Sequence, residues 1–172
     1  MFHKMIAMKK EVVNVFTEIL FDWFTADDVE KPGGAGFNFA WHLKNILEVL
    51  AIDARMRVHS KIGNDQRGTV LLQTILNAGF EVDDIQLDKA QPTGVVPISL
   101  DKAGNPTFEI RPAAFDHLRP ISDQHGIRTS VFYFGSIMQR NAESRLAVRK
   151  MLQEATNDKA LIVYDMNLRD DG

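Results

Sequence analysis

The 172-residue sequence contains no cysteine, which excludes both a disulfide-stabilised scaffold and a zinc site built from thiolates. It also contains no apolar run near the roughly 20 residues that a membrane-spanning helix needs. Residues 1–10 lack the apolar core of a signal peptide. The formal net charge of −3 provides no basic excess for nucleic acid or an anionic membrane. These absences predict a cytoplasmic protein that binds neither nucleic acid nor membranes.

What the sequence does contain is an ordinary globular composition. Hydrophobic residues make up 45% of the chain and charged residues 25%, a balance that argues against disorder. A chain of this length buries roughly 70% of its unfolded surface, which is enough for a hydrophobic core. We therefore expect one folded domain.

Short β-branched and aromatic runs alternate with segments whose apolar residues recur at helical spacing. Asn38 is predicted to cap the first helix or to lie in its first turn, and Gly79 is predicted to end the second. This alternation is typical of a parallel sheet with crossover helices. The strands are predicted at 12–16, 55–61, 131–134 and 161–164, and the helices at 39–50, 66–78 and 141–155.

The middle of the chain has a different pattern. Residues 94–100 and 106–111 have the character of two strands, and the polar stretch 101–105 between them supplies turn residues. No predicted helix lies beside this hairpin in sequence. We therefore expect it to form an accessory sheet outside the main layer.

Gly33, Gly34 and Gly36 precede the first predicted helix, where backbone N–H groups can approach a ligand closely. The segment does not match the P-loop string G-x-x-x-x-G-K-[ST]. Its distance from the first strand also disfavours a dinucleotide-binding fingerprint. A simple turn remains the alternative interpretation of these glycines.

Two groups of polar residues follow predicted strands. Asp22 comes after an apolar run, where its carboxylate could accept two hydroxyl hydrogen bonds at a sheet edge. Asp165, Asn167 and Arg169 come at the end of the last strand, where Arg169 could hold an anion and Asn167 a hydroxyl or water. A solvated loop aspartate and an ordinary surface arginine are the alternatives.

Six regions, in this order, resemble the motifs of the PfkB, or ribokinase-type, family of carbohydrate kinases, and the fructokinases most of all. Residues 18–22 resemble G-E-[IL]-L-x-D, residues 31–40 resemble G-G-A-P-x-N-[VF]-A, and residues 61–68 resemble [KR]-[VI]-G-x-D-x-x-G. The other matches are the hairpin within 92–116 and the strings at 134–136 and 165–169. Each motif is modest alone. Their shared order carries the resemblance, which spans about residues 12–169.

The resemblance implies a ribokinase-like three-layer α/β/α fold with a mostly parallel sheet and a small β-sheet lid. It implies one incomplete domain over residues 11–172, with lid strands at 23–32 and 93–112 inserted in it. Lids of this family often pair between subunits, so a homodimer through the lid strands is expected.

The resemblance also implies a sugar site between the lid and the main sheet. By motif position, the substrate-binding residues are Asp22, Gly33, Gly34, Asn38, Arg111 and Arg169. Asn167 is a weaker candidate for cofactor binding. No metal ligand is expected in this chain.

The sequence departs from the family pattern in three ways. Thr17 stands where the family usually has glycine, and Gly36 where it usually has proline. The G-A-G-D motif, which supplies the catalytic aspartate and a backbone anion hole, is expected beyond Gly172. The complete protein is expected to use ATP and Mg²⁺, whereas this chain alone is expected to have negligible kinase activity.

The leading hypothesis is therefore ATP-dependent phosphorylation of a sugar hydroxyl, with fructose as the expected sugar, by the complete protein. A non-catalytic sugar-binding or interaction module is the alternative from another class. A kinase for an acid sugar such as 2-keto-3-deoxygluconate is a second alternative, since Arg111 and Arg169 could hold a carboxylate. An incomplete parallel sheet would also leave an exposed edge that favours association.

Overall fold

The computed structural model describes residues 10–121 and 128–167. Within these residues the main sheet has five strands, every neighbouring pair of which is parallel. Its strands are β1 (Glu11–Phe16), β4 (Ala54–Gly63), β5 (Ile85–Asp88), β8 (Val131–Gly135) and β9 (Leu161–Asp165). They lie in the spatial order β5-β4-β1-β8-β9. The predicted parallel sheet with crossovers is confirmed, and β5 is a strand that the sequence did not indicate.

Helices cover both faces of this sheet. The helices are α1 (Ala35–Val49), α2 (Gln66–Asn77) and α3 (Ala142–Asn157). Short 3₁₀ turns are formed by Ala114–His117 and Ile137–Gln139. Helices α1 and α2 pack on one face and α3 on the other, which confirms the three-layer α/β/α architecture. None of these described helices is both long and apolar enough to cross a membrane.

Strand β1 explains why the sheet is buried on both faces. Its side chains alternate, so that Val13 and Val15 pack in the cluster with α1 and α2, while Phe16 packs in the cluster with α3. A central parallel strand has no solvated face, and its β-branched composition follows from this. Asn14, the polar residue of the run, is buried with its amide bonded to Thr129 and His59.

Local signals fix the ends of two helices as the sequence predicts. The side chain of Asp65 caps α2 by accepting from the N–H of Gly68 at 2.8 Å, and Gly79 follows the helix with φ of 74°. Asn141 caps α3 by accepting from the N–H of Glu143 at 2.9 Å. Capping side chains therefore set these starts, within the one or two residues by which helix boundaries vary.

A second, four-stranded sheet contains the predicted hairpin. Its strands are β2 (Leu20–Phe24), β3 (Val29–Gly33), β6 (Gly94–Leu100) and β7 (Pro106–Phe108), in the order β3-β2-β6-β7. Strands β2 and β6 are parallel, whereas the two outer pairs are antiparallel hairpins. Trp23 of β2 donates its indole N–H to Asp28 at 3.0 Å, within the turn before β3.

The prediction that the second hairpin strand extends to residue 111 is wrong, because β7 ends at Phe108. Glu109 lies beside Pro97 and donates its N–H to the Pro97 oxygen at 3.3 Å. Proline has no N–H to return the bond, so the ladder cannot continue.

The strand order locates the ligand edge of the main sheet. From β1 the chain builds β4 and β5 on one side, and later β8 and β9 on the other. The crevice beyond the carboxyl ends of β1 and β8 is thus a topological switch point, where open α/β sheets bind ligands.

Candidate functional site

A cleft of about 260 Å³ lies at this switch point, between the second sheet and the carboxyl edge of the main sheet. Ligand pockets for drug-sized molecules run from about 300 to 1,000 Å³, so the cleft suits a small ligand. It is lined by Glu18, Leu20, Asp22, Gly34, Ala35, Asn38, Val96, Phe108, Ile110, Ile137 and Asn167.

The structure brings four of the six predicted substrate-binding residues together. Asp22, Gly34 and Asn38 all line the cleft. Gly33 packs directly against Asp22, and a Cβ atom at Gly33 would overlap the Asp22 carboxylate. Glycine at this position therefore leaves room for the acidic side chain beside the cleft.

The predicted location of Asp22 at the end of a main-sheet strand is wrong. Asp22 lies within β2 of the second sheet, opposite Lys31 on one side and Val96 on the other. The reason is that β1 ends at Phe16, and the chain then starts a new strand at Leu20 instead of continuing into a loop. The second sheet therefore carries the carboxylate to the cleft.

Helix α1 begins three to four residues earlier than its apolar repeat predicts. Gly34 is the N-cap residue with φ of 113°, a conformation that glycine adopts readily. Asn38 lies in the first turn, where its N–H donates to the Gly34 oxygen at 2.9 Å. Of the two predicted roles for Asn38, the first-turn position is confirmed. Its side chain is exposed toward solvent beside the cleft.

Glu18 is a cleft residue that the sequence analysis did not single out. It is buried after β1, and its Oε1 accepts from the N–H of Ala35 at 2.8 Å. Burial raises the pKa of the Glu18 carboxyl, although hydrogen bonds partly oppose this shift. The available signal was its place in the segment 18–22, which ends at Asp22.

Thr17 and Gly36, which both depart from the family pattern, lie against each other. A Cβ atom at Gly36 would overlap the side-chain oxygen of Thr17, and it would lie 2.8 Å from the Tyr133 ring. Thr17 donates to Glu18 Oε2 at 3.3 Å. Thus the threonine fills space that the glycine leaves open, and it adds a donor to the buried carboxylate.

The structure places Asn167 at the cleft and Arg111 outside the described lining. Asn167 lines the cleft, with φ of 44° and its N–H donated to Asp165 at 3.0 Å. Arg111, however, is exposed and pairs with Glu109 through two bonds of 2.8 and 2.9 Å. Because β7 ends early, Ile110 rather than Arg111 contributes to the cleft. Arg169 lies outside the described residues.

The described lining of the cleft carries acidic but no basic side chains. It includes the carboxylates of Glu18 and Asp22 and contains no lysine, arginine or histidine. Carboxylates and amide oxygens accept hydrogen bonds from hydroxyl groups, and charged acceptors form the stronger bonds. Within the described residues, no group of three or more acidic or histidine side chains is arranged to hold a metal ion.

A second glycine-containing turn lies between β4 and α2. The Asp65 carboxylate accepts from the Thr93 N–H at 2.8 Å, from the Thr93 hydroxyl at 2.7 Å and from the Gly68 N–H at 2.8 Å. A Cβ atom at Gly63 or Gly68 would overlap backbone atoms here. The Asp65 carboxylate thus organises this turn and links the residue before β6 to α2.

Comparison with known proteins gives the chain its family. The model of the pfkB family of carbohydrate kinases matches residues 25–171, so the chain belongs to this family. Among its relatives, fructokinase-2 of Solanum habrochaites is 30% identical over 145 residues, covering 82% of this chain and 42% of the relative. A putative sugar kinase of Pyrococcus horikoshii is 29% identical, covering 81% of this chain and 44% of that protein.

Solved structures share the fold. A fructokinase from Xylella fastidiosa superposes with a TM-score of 0.78 at 21% identity, over 93% of this chain and 51% of that one. A Vibrio cholerae fructokinase with bound fructose, ADP and potassium gives 0.76 at 22% identity, over 95% of this chain and 52% of that one. The chain therefore spans about half the length, or less, of the relatives that it matches.

Proposed function

We propose that the cleft binds a neutral sugar, and that the complete protein phosphorylates a ketose such as fructose with ATP. The single observation that carries this proposal is the convergence of Asp22, Gly34 and Asn38 on one cleft at the switch point. Asp22 can bond hydroxyl groups through its carboxylate and Asn38 through its amide, while Gly34 lets a hydroxyl group approach the backbone. Membership of a carbohydrate kinase family supports the same substrate class.

The charge of the cleft favours a neutral sugar over an acid sugar. Two acidic side chains, Glu18 and Asp22, line the cleft, and its described lining offers no cation for a substrate carboxylate. Arg111 is engaged by Glu109 outside that lining. The Vibrio cholerae relative holds fructose. These observations support fructose over 2-keto-3-deoxygluconate.

The second sheet, to which the predicted lid segments 23–32 and 93–112 contribute strands, is proposed to act as the lid of the site. Val96 of β6 and Phe108 of β7 supply apolar walls to the cleft, so movement of this sheet would change its access. Closing such a wall would exclude water from the bound sugar. A homodimer through the lid strands stays a prediction, which sedimentation of the chain would test.

Phosphoryl transfer is assigned to the complete protein. The described cleft offers no cation for a triphosphate, so it fits the sugar and does not fit the phosphates of the nucleotide. The string G-A-G-D is also absent from the 172 residues. We therefore expect fructose binding by this chain with negligible ATP-dependent turnover. Asn167 remains a weak candidate for a cofactor contact.

Calorimetry of this chain with fructose tests the sugar site. Asp22→Asn is expected to weaken binding roughly tenfold or more, because a charged acceptor becomes a neutral one. Asp27→Asn is the matched control, since Asp27 is exposed in the turn between β2 and β3. Absence of fructose binding, or equal loss in both variants, would remove the site assignment.

A coupled assay tests the kinase. A full-length form is offered ATP, Mg²⁺ and a panel that includes fructose, 2-keto-3-deoxygluconate and nucleosides. Turnover with fructose supports the proposal, and preference for the acid sugar supports the second alternative. Sugar binding without turnover of any substrate supports a non-catalytic sugar-binding module instead.

A further inference from the structure

The segment that leaves the second sheet is held by a side chain of the main body. After β7 ends at Phe108, the chain runs without regular structure to the 3₁₀ turn that begins at Ala114. In this segment the backbone oxygens of Ile110 and Arg111 accept from the guanidinium of Arg140, at 3.0 and 2.8 Å. Arg140 lies between the second 3₁₀ turn and α3, so these bonds join the second sheet to the main body.

A buried carboxylate orients this guanidinium. Asp116 accepts from Nε and Nη2 of Arg140, both at 2.6 Å, and its side chain is only 3% exposed. A planar guanidinium makes such a paired contact and still directs N–H groups to other acceptors, which a lysine ammonium does not reproduce. The same carboxylate accepts from the N–H of Ala113 at 3.0 Å. Asp116 and Arg140, which we call the clamp, therefore fix residues 110–113.

An aromatic ring connects the clamp to the start of β6. The Arg140 guanidinium lies over the ring of Phe115, 5.1 Å from its centroid, where the electrons of the ring attract a cation. A Cβ atom at Gly94, the first residue of β6, would lie 2.7 Å from the same ring. The clamp and this ring thus hold the β6–β7 hairpin at both of its ends.

The clamp borders the cleft without lining it. Ile110, whose oxygen it bonds, lines the cleft, and so does Ile137, whose oxygen accepts from the backbone N–H of Arg140 at 3.2 Å. Both isoleucines pack against the same hydrophobic cluster. Arg140 is not part of the described lining, so it acts on a bound ligand through the residues that it holds.

We propose that Arg140 is a positioning residue for the sugar cleft, because its guanidinium holds Ile110 in place as one wall. This inference rests on the sugar site proposed above. A purely structural role is the alternative, since a buried Asp116 without its partner would destabilise the fold. Arg57 provides the comparison: it bonds the buried Asp84 through the same fork, at 2.8 and 2.9 Å, outside the described lining of the cleft.

Arg140→Lys and Arg57→Lys are compared by calorimetry with fructose, and circular dichroism checks that both are folded. Each keeps a positive charge beside its aspartate and loses the fork. We expect Arg140→Lys to weaken fructose binding roughly fivefold, and Arg57→Lys to leave it within about twofold. Equal effects in the two variants contradict the proposal. If Arg140→Lys does not fold, Arg140→Met combined with Asp116→Asn removes the fork without leaving a buried charge, and the same loss is expected.

A double-mutant cycle tests whether Arg140 acts through Ile110. Ile110→Ala removes the wall directly and is expected to weaken fructose binding roughly tenfold. Once the wall is absent, adding Arg140→Lys should weaken binding no further. Additive losses would show that Arg140 acts by another route, and they would overturn the proposal.

Amide exchange without sugar separates the clamp from the sugar assignment. The N–H groups of Glu109 and Ala114 bond backbone oxygens in and just before β6, and in Arg140→Lys they should exchange roughly fivefold faster. Arg57→Lys should leave their exchange unchanged. If the unsubstituted chain does not bind fructose, the sugar assignment fails and exchange alone decides: acceleration supports the clamp and unchanged rates overturn it. Where fructose binds, faster exchange with unchanged affinity overturns the positioning role.

Discussion

Two glycine-containing turns of the molecule, at residues 33–36 and 63–68, have opposite surroundings. Both precede a helix and lie beside the second sheet. At the first turn, Gly34 and Ala35 line an open cleft. Glu18, in the connection between β1 and β2, accepts a hydrogen bond from the N–H of Ala35 at the start of α1. At the second turn, the side chains of Asp65 and Thr93 fill the space in front of α2.

The comparison indicates why the sugar site is proposed at the first turn, where a cleft stays open, and not at the second. At the second turn, the Asp65 carboxylate satisfies groups that a ligand would otherwise bond. At the first, the N-cap Gly34 has no side chain, and the Glu18 carboxylate accepts from the N–H of Ala35. Substitutions at the two turns should therefore separate stability from ligand binding.

The largest expected effect is on stability at the second turn. Gly68→Ala is expected to lower the free energy of unfolding by about 3 kcal/mol, because its Cβ would overlap the backbone oxygen of Gly63. Urea denaturation measures it. Gly135→Ala is the control, since nothing lies within 4 Å of a Cβ there, and it should change stability by less than about 0.5 kcal/mol. Equal effects at both glycines would contradict the tight packing of this turn.

Asp65→Ala is expected to lower stability by about 2–3 kcal/mol, since it removes a helix cap and leaves the N–H groups of Thr93 and Gly68 without their acceptor. Fructose affinity of the folded variant should stay within about twofold. Denaturation and calorimetry together check this. A selective loss of fructose affinity at full stability would show that the second turn is also a binding element.

Asn38→Ala should give the reverse result. Asn38 is exposed in the first turn of α1, so stability should change by less than about 0.5 kcal/mol. Fructose affinity should fall about tenfold, because the amide no longer bonds a hydroxyl group. Asn77→Ala, at the exposed end of α2, is the control for an asparagine change away from the cleft. Unchanged affinity in both variants would exclude Asn38 from the site.

A smaller effect is expected from the contact between Thr17 and Gly36. Gly36→Ala alone is expected to cost about 2 kcal/mol, because its Cβ would overlap Thr17. Adding Thr17→Gly should recover about 1 kcal/mol, with the Tyr133 contact accounting for the remainder. A double-mutant cycle in urea measures the coupling, and strict additivity would show that the two positions are independent.

The smallest effect is a difference in pH dependence between the carboxylates of the two turns. The pKa of Glu18 is raised by burial, so the folded chain retains its proton longer than the unfolded chain does. Stability is then lost as pH rises above 4.5, by at most about 1.4 kcal/mol per pH unit. Glu18→Gln should flatten this loss in denaturation series at successive pH values.

Asp65 should behave oppositely. Partial burial would raise the pKa of Asp65, but hydrogen bonds from Thr93 and Gly68 lower it below 3.8 overall. Its contribution is therefore present above pH 3.8 and lost as pH falls below that value. Asp65→Asn should flatten the acid side of the profile and leave the region above pH 4.5 unchanged. If both substitutions changed the dependence of stability on pH in the same direction, the opposite pKa shifts of Glu18 and Asp65 would be contradicted.

The sequence predicted four of the five main-sheet strands and the starts of α2 and α3, because burial on both faces leaves β-branched runs and capping residues mark helix starts. It did not indicate β5 or the start of α1. It did not reveal where Asp22 lies, since an apolar run ending in aspartate looks the same in either sheet. Glu18 was missed because burial of a lone glutamate depends on the distant start of α1. The expectation for Arg111 failed for a local reason: Pro97 on the partner strand has no N–H, so β7 ends before residue 111.

The tryptophan of the second sheet gives the molecule a built-in optical reporter. The sequence has two tryptophans, and the other, Trp41, lies on α1 against Phe37 and Phe80 of the main body. Replacing Trp41 with phenylalanine leaves emission from Trp23 alone, whose indole is held by Asp28 at the hairpin tip. A spectral shift on adding sugar would then report a change around Trp23 in the second sheet, the proposed lid, with no label attached.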